Sequence, residues 1–400
     1  MGTELFSTLA READASSAST RDEIHETFFR TSQARRRGHS SSSGASENDA
    51  PENRNALDSR AAPVARAVLI DMEPKVVQSS LRRAKKSGRW RYDSARTLAF
   101  QSGSGNNWAR GYNTYGAQTR ETALELVRRE TEACDHFGGF LLMQSMAGGT
   151  GAGLGAYVAE ALRDEYAHAP LLNHCVWPHE SGEVIVQSYN TLLTASTLLD
   201  ASDGVIVAQN DQLRLTCVKQ LGIERPTFDD MNAVAAKQIA GVLLPSVRRD
   251  SCANGGVMVG ADAAGNSPGV GRRAHLLHDL TRDVCQHPSA RLLSLRQTPV
   301  MPEASVDFTT FAWPSLLKRT RQMLLSGATL EEGLDWGLDP AAVGAGRGRH
   351  TKCFAASLFL RGLGSDAADA SLVSDRELFP KWVPAPCAVQ WSPGRFDGKE

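Results

Sequence analysis

Several absences narrow this sequence before any motif is read. No stretch approaches the roughly 18 consecutive apolar residues that a membrane-spanning helix needs. The opening residues, MGTELFSTLAREADA, carry no basic segment followed by an apolar one, so they do not read as a secretory leader. Gly2 follows Met1, but Phe6 stands where an N-myristoylation pattern needs Ser or Thr. The cysteines (Cys134, Cys175, Cys217, Cys252, Cys285, Cys353 and Cys387) are scattered, odd in number and form no C-x-x-C. A disulfide framework or a structural zinc is therefore not expected, and reduced thiols are. Charge of one sign is also missing. The 44 basic and 45 acidic residues leave a net charge of −1. That balance argues against a nucleic-acid binder running on bulk charge and against a polybasic membrane segment.

What is present is the composition of a globular protein with a substantial core: 41% apolar and 22% charged over 400 residues. Residues 31–62 stand apart, being polar and nearly empty of large apolar side chains. They cannot bury enough surface to offset ordering, so this stretch is expected to be a disordered loop. Its Arg35–Arg37 run reads as a solvated charge cluster. An α/β rhythm follows. Short apolar runs at Val64–Met72, Phe140–Met146, Asn173–Pro178 and Gly204–Asn210 predict buried parallel strands. Helices are predicted at Val76–Lys86, Glu121–Phe137 and Ala156–Ala167. Strands alternating with helices imply a helix-covered parallel sheet. A long helix is expected at Thr227–Leu243, with Thr227 as N-cap and Asp229–Asp230 in its first turn. Beyond a second glycine-rich insertion, 248–272, the segment Arg291–Thr298, a helix near Trp313–Leu325 and the segment Lys352–Arg361 suggest a mixed α/β second domain. The division is placed at 1–226 and 227–400.

The strongest motif is Ser145-Met146-Ala147-Gly148-Gly149-Thr150-Gly151-Ala152-Gly153, between a strand and a helix. Glycines there let backbone N–H groups crowd around an anion. The helix adds its positive end, and Ser145 and Thr150 can donate hydroxyl hydrogen bonds. No lysine follows, so this is not a P-loop, and the glycine spacing misses the dinucleotide fingerprint by one residue. A tight strand–helix turn packed by glycines is the competing reading. A second loop, Gln101–Trp108, could wrap the far side of the phosphates, with Ser104, Gly105 and Asn106 at its tip. Asp71 and Glu73 end the first visible strand, where two carboxylates could hold Mg²⁺ through water. Phe228 and Asn232 share a helix face, and Asn210 ends another strand. An aromatic can stack on a purine, and an Asn amide offers both donor and acceptor to guanine's mixed edge. Taken singly, Phe228 also reads as core and the two Asn residues as caps or turns.

These loops, in this order, resemble the tubulin family. AGGTGAG is similar to the tubulin signature loop, with Ala147 where most members carry a third glycine. LIDMEP (Leu69–Pro74), QSGSGNNWARG (Gln101–Gly111) and GEVIVQSYN (Gly182–Asn190) are similar to further nucleotide loops. Within the family these motifs look most like the delta-tubulin branch. The resemblance implies a tubulin/FtsZ-like fold: a Rossmann-like parallel-sheet GTPase domain joined by a long helix to a mixed α/β domain. It implies GTP and Mg²⁺ as ligands, with Ser145, Gly148, Gly149, Thr150 and Gly151 on the phosphates and Ser104, Gly105 and Asn106 closing over them. Asp71 and Glu73 would serve Mg²⁺ and the γ-phosphate. Glu183 would touch the ribose, and Asn210, Phe228 and Asn232 the guanine. It further implies other tubulin subunits or microtubules as partners, with no nucleic acid and no membrane span. The implied place is the cytoplasmic cytoskeleton, at centrioles or basal bodies and in cilium assembly.

Three departures shape the expectations. The family's first strand with its glutamine-bearing phosphate loop, and its closing helices with an acidic tail, are expected to be missing here. Arg282 falls where a subunit would offer a catalytic carboxylate to its neighbour's nucleotide, with Asp279 and Asp283 as conceivable substitutes. A cation can bind phosphate but cannot act as a general base, so no catalytic residue is assigned. The alternatives are a tubulin-type GTPase turning over on assembly and an interaction protein that no longer binds nucleotide. A dinucleotide-dependent oxidoreductase is a more distant one.

Overall fold

The computed structural model describes residues 1–30, 62–182, 184–249, 276–306, 308, 311–338, 353–383 and 387–394. The polar segments expected at 31–62 and 248–272 lie outside these, save Ala62, Arg248 and Arg249.

The chain opens with α1 (Gly2–Ala15) and α2 (Ala18–Phe28). Leu5, Leu9 and Ala13 recur every four residues and are all buried, so one stripe of α1 faces inward. β1 (Phe29–Arg30) pairs antiparallel with β2 (Val64–Ala65), and β3 (Leu69–Asp71) follows. The apolar run 64–72 is thus two short strands rather than one. Between them the Arg66 guanidinium donates to the carbonyls of Glu26, Phe29 and Ala133. Next come α3 (Pro74–Lys86), with proline in its first turn, and β4 (Thr97–Ala99), parallel to β3.

The π-helical stretch Arg110–Gly116 leads into α4 (Ala117–Thr131). β5 (Phe140–Ser145), the π-helical turn Thr150–Leu154 and α5 (Gly155–Glu165) follow. Then come β6 (Leu171–Trp177), α6 (Gln187–Ala201), β7 (Gly204–Gln209) and α7 (Asn210–Leu215). Asn210 therefore opens a helix instead of ending a strand. α8 (Phe228–Leu243) begins at a full capping box in which Thr227 and Asp230 satisfy each other's backbone N–H groups. The remaining elements are β8 (Val247–Arg249), α9 (Leu276–Val284), β9 (Leu292–Leu293), α10 (Glu303–Val306), α11 (Trp313–Ser326), β10 (Ala356–Arg361) and β11 (Cys387–Ser392).

β5, β6, β7 and β9 form one parallel sheet in that order, and β3–β4 form a second parallel pair. The two pieces share the same layers. Val68 and Leu142 lie in one apolar cluster, and Leu69 and Leu141 lie in another, on α1 and α8. No strand among the described residues pairs with the second edge of β3 or of β5. Burial reflects this. Every residue from Leu171 to Cys175 in β6 is buried, whereas Phe140 to Met143 in β5 are only half-buried. β9, expected in the second domain, pairs instead with β7 in this sheet. A smaller sheet, β10–β11–β8, is roofed by α11 around Leu317, Leu325, Leu360 and Val389. The long helix joins the two sheets. Arg361 of β10 donates to the carbonyls of Gly241, Leu244 and Pro245 at the end of α8, where the helix dipole favours a cation.

His174 sits at the centre of β6, 1% exposed, with no hydrogen-bond partner for Nδ1 among the described residues. Burial, helped by the nearby amino terminus, pushes its pKa down to about 4. The unfolded chain takes up this proton near its ordinary value of about 6.5, before the folded one does. Stability should therefore be full above about pH 6.5 and fall by about 3 kcal/mol as pH drops towards 4. Urea unfolding at stepped pH checks this; His174→Gln should flatten the slope, and an unchanged slope would rule the assignment out.

Candidate functional site

The carboxyl ends of β3, β4, β5, β6 and β7 carry the loops singled out in the sequence, as expected for a parallel α/β sheet. At the end of β5 the chain turns at Met146, whose side chain is fully buried and whose N–H donates to the Val176 carbonyl (3.1 Å). The Ser145 hydroxyl accepts from the Ala147 N–H at 3.4 Å. The nine-residue motif then divides. Ser145 is exposed and Ala147, Gly148, Thr150 and Gly151 are half-exposed, while Gly149, Ala152 and Gly153 are buried. The buried members face the second loop. A Cβ on Gly149 would lie 2.3 Å from Ser104 Oγ and 2.7 Å from the Asn107 backbone. A Cβ on Gly111 would lie 2.1 Å from the Gly149 carbonyl oxygen. Gly148, by contrast, would meet nothing nearer than Asn106 Oδ1 at 3.7 Å. The two readings of this motif thus apply to different residues: packing glycines on one side, open backbone on the other.

The second loop bends back over the first. Gly105 (φ 63°) and Asn106 (φ 55°) both adopt the left-handed conformation that glycine and asparagine tolerate best. Ser104 is buried, and its hydroxyl lies 3.2 Å from that of Thr150, so the loops meet hydroxyl to hydroxyl. Trp108 stacks on Tyr112 at 4.6 Å, and the Tyr112 hydroxyl donates to Glu160 of α5. That bond to a carboxylate pushes the tyrosine pKa up to about 12.

Met72 places the acidic pair. It is buried against Tyr115 and Leu154, the residue closing the π-helical turn, so Asp71 and Glu73 flank an anchor in the cradle. Asp71 is half-buried and accepts from the Glu73 N–H at 3.0 Å, while Glu73 is exposed. Burial raises the Asp71 pKa above its ordinary value. Among the described residues no group of three or more His, Cys, Asp or Glu could enclose a metal. Two carboxylates alone fit a Mg²⁺ that keeps its waters and leans on phosphate, not a dedicated protein cage.

The residues expected to read the base sit on elements packed together. Leu213 and Cys217 join Met231, Val234 and Ala235, fastening α7, where Asn210 lies, to α8, which carries Phe228 and Asn232. The Phe228 ring is 69% exposed, which sets aside the core reading and leaves its face free to stack. Asn232 lines a cavity of about 320 Å³ with Thr3, Glu4, Lys75, Ser79 and Arg83. Arg83 was not anticipated. It reaches Glu4 of α1 at 2.6 Å and Asp229 of α8 at 2.9 Å, tying three helices together at the cavity wall. The loop after β6 is held by Asp211, which accepts from the Glu180 N–H and meets His179 Nδ1 at 2.7 Å. Glu183, expected at the ribose, lies outside the described residues.

Asn190 was missed as well, although it closes the quoted GEVIVQSYN. It is 3% exposed and bonds both loops at once. The only sequence signal was a polar residue at a position where helix periodicity calls for burial. At the far position, Arg282 meets Asp279 at 3.1 Å, and Asp283 is buried in a two-toothed pair with Arg248 at 2.7 and 2.9 Å. Asp283 is thus already committed, and Arg282 occupies Asp279.

A parallel sheet with paired glycine loops at its carboxyl edge defines the class of α/β domains that grip anionic ligands beyond their strands. Comparison with known proteins gives the family. The Tubulin/FtsZ family GTPase domain matches residues 4–218. The tubulin delta chain of Macaca fascicularis is 39% identical over 330 residues, 80% of this chain and 69% of that protein. That of Mus musculus is 38% identical over 349 residues, 84% and 73%. The tubulin beta-1 chain of Chondrus crispus is 35% identical over 181 residues, 45% and 39%. The chain belongs to the tubulin family, whose GTPase domain it carries.

Gly149→Ala should force the two loops apart and cost about 1–3 kcal/mol of stability, whereas Gly148→Ala should stay within about 0.5 kcal/mol. Paired denaturant titrations check this; equal losses would show that Gly149 is not packed against Ser104 and Asn107.

Proposed function

We propose that the chain binds GTP with Mg²⁺ along the carboxyl edge of its parallel sheet. In this reading the nucleotide is a structural or switch ligand at a contact with another tubulin subunit. The observation that carries this reading is the Ser104–Thr150 junction, where two loops meet with the Gly148 backbone left open beside them. Ser145, Thr150 and the Gly148 and Gly151 backbone would receive the phosphates. Asp71 and Glu73 would hold water-bound Mg²⁺, which when bound supplies positive charge against the terminal phosphates. Asn210 and Asn232 would read guanine while Phe228 stacks on it.

A subunit contact is favoured by the apolar face beside the site: Ile185 is 98% exposed, Tyr189 70% and Leu192 69%. Exposed apolar side chains grouped in this way mark interaction surfaces. The likeness to delta chains of tubulin extends the proposal to centriole or basal-body microtubules and to cilium assembly. Binding without turnover by the chain alone is the preferred form, because Arg282 pairs with Asp279 and Arg248 with Asp283, the described carboxylates there.

A labelled GTP analogue should bind in preference to ATP, and Asn232→Ala should erode that preference; equal affinity for both nucleotides would reject the base-reading roles. Thr150→Val should weaken GTP binding by about 1–3 kcal/mol through loss of a hydroxyl donor, read by the same titration.

A further inference from the structure

We infer that Asn190 is the positioning residue that sets the separation of the two phosphate loops and couples both to α6. Its side-chain amide is shared between them. One N–H of Nδ2 donates to the Asn106 carbonyl at 2.8 Å, at the tip of the second loop. The other donates to the Ala147 carbonyl at 2.8 Å, in the cradle. Oδ1 accepts from the Trp108 N–H at 3.2 Å. Both donors and the acceptor are used, so no shorter or singly polar side chain can replace the set. The next residue adds a parallel tie, since the Thr191 hydroxyl donates to the Met146 carbonyl at 3.2 Å in a buried position. The Thr194 hydroxyl donates back to the Asn190 carbonyl at 2.7 Å, bracing the turn from which the amide projects.

The geometry makes this latch different in kind from the Ser104–Thr150 contact. Two hydroxyls can turn towards a ligand and release each other. The Asn190 amide instead bonds backbone carbonyls, so the backbone positions on both loops move with α6 or not at all. The carbonyls it holds belong to Asn106 and Ala147, the residues on either side of the open Gly148 backbone. Preorganised loops bind without an ordering cost. Asn190 therefore acts on the phosphates without touching them, and α6 is the element through which loop spacing reaches the exposed Tyr189 and Leu192 face. This inference rests on the nucleotide reading above for its use, although the latch itself does not.

The test compares Asn190→Ala and Asn190→Asp with the unaltered full chain. Asp keeps the shape and an acceptor but cannot donate to the two carbonyls. In nucleotide-free protein, amide hydrogen exchange should quicken together at Asn106–Trp108 and at Ala147–Gly149 in both variants, with the β6 amides unchanged. In titrations, affinity for a GTP analogue should fall about tenfold or more, while affinity for GMP falls little, so that the GTP-to-GMP ratio collapses. Asn232→Ala should weaken both ligands alike. A merely structural role would lower the unfolding midpoint and leave the ratio unchanged. Loosening of one loop alone, or of neither, would overturn the latch. If the unaltered chain binds no guanine nucleotide, the nucleotide reading falls, and the exchange data still decide the latch.

Discussion

The site depends on a contact that only glycine permits. Gly111 lies so close to the Gly149 carbonyl that a single added carbon would sit 2.1 Å from that oxygen, far inside van der Waals contact. Because the contact is backbone to backbone, no side-chain rearrangement can make room for a substituent there. The two segments that meet there, Arg110–Gly116 and Thr150–Leu154, are both wound as π-helix. A wider turn admits an extra residue, and such turns gather at functional sites. The rest is stacked around this contact: Met72 packs on Leu154, Ser104 meets Thr150, and Asn190 bonds both loops from the third side.

Charge is handled by pairing rather than by excess. A net charge of −1 hides local arrangements that matter. Arg83 bridges Glu4 and Asp229 across three helices, Arg248 locks Asp283, and Arg361 caps the carbonyl end of α8. Each cation fixes an element that the parallel sheet alone would leave free. The consequence for chemistry is that Asp283 neutralises a structural arginine, whereas half-buried Asp71 forms no ion pair with a cation among the described residues. That contrast is why the acidic pair at the end of β3 carries the metal proposal.

The interruption of the sheet bears on how the site is held. Where β6 is covered on both edges and buried throughout its first five residues, β5 is paired on one edge among the described residues and is half-open. The cradle hangs from this less protected strand. The lateral ties to the second loop and to α6 therefore matter more here than they would beneath a fully paired strand.

Much of this was legible in the sequence because local physics decides it. Alternating apolar runs and helical stripes placed β5, β6, β7 and α8 to within a few residues, and Thr227 was readable as a cap because capping is a four-residue affair. The glycine-rich cradle, the acidic pair and the family resemblance all follow from contiguous residues. What is not contiguous needed the tertiary structure. Only packing shows that Gly149 is a contact glycine while Gly148 is open, since both look alike in the chain. Only packing leaves Phe228 bare, breaks the run 64–72 at Arg66 and sends β9 to the first sheet. Asn190 shows the limit best. Its bonding partners lie more than forty residues away, and no local pattern encodes a hydrogen bond whose second half arrives only when the chain has folded.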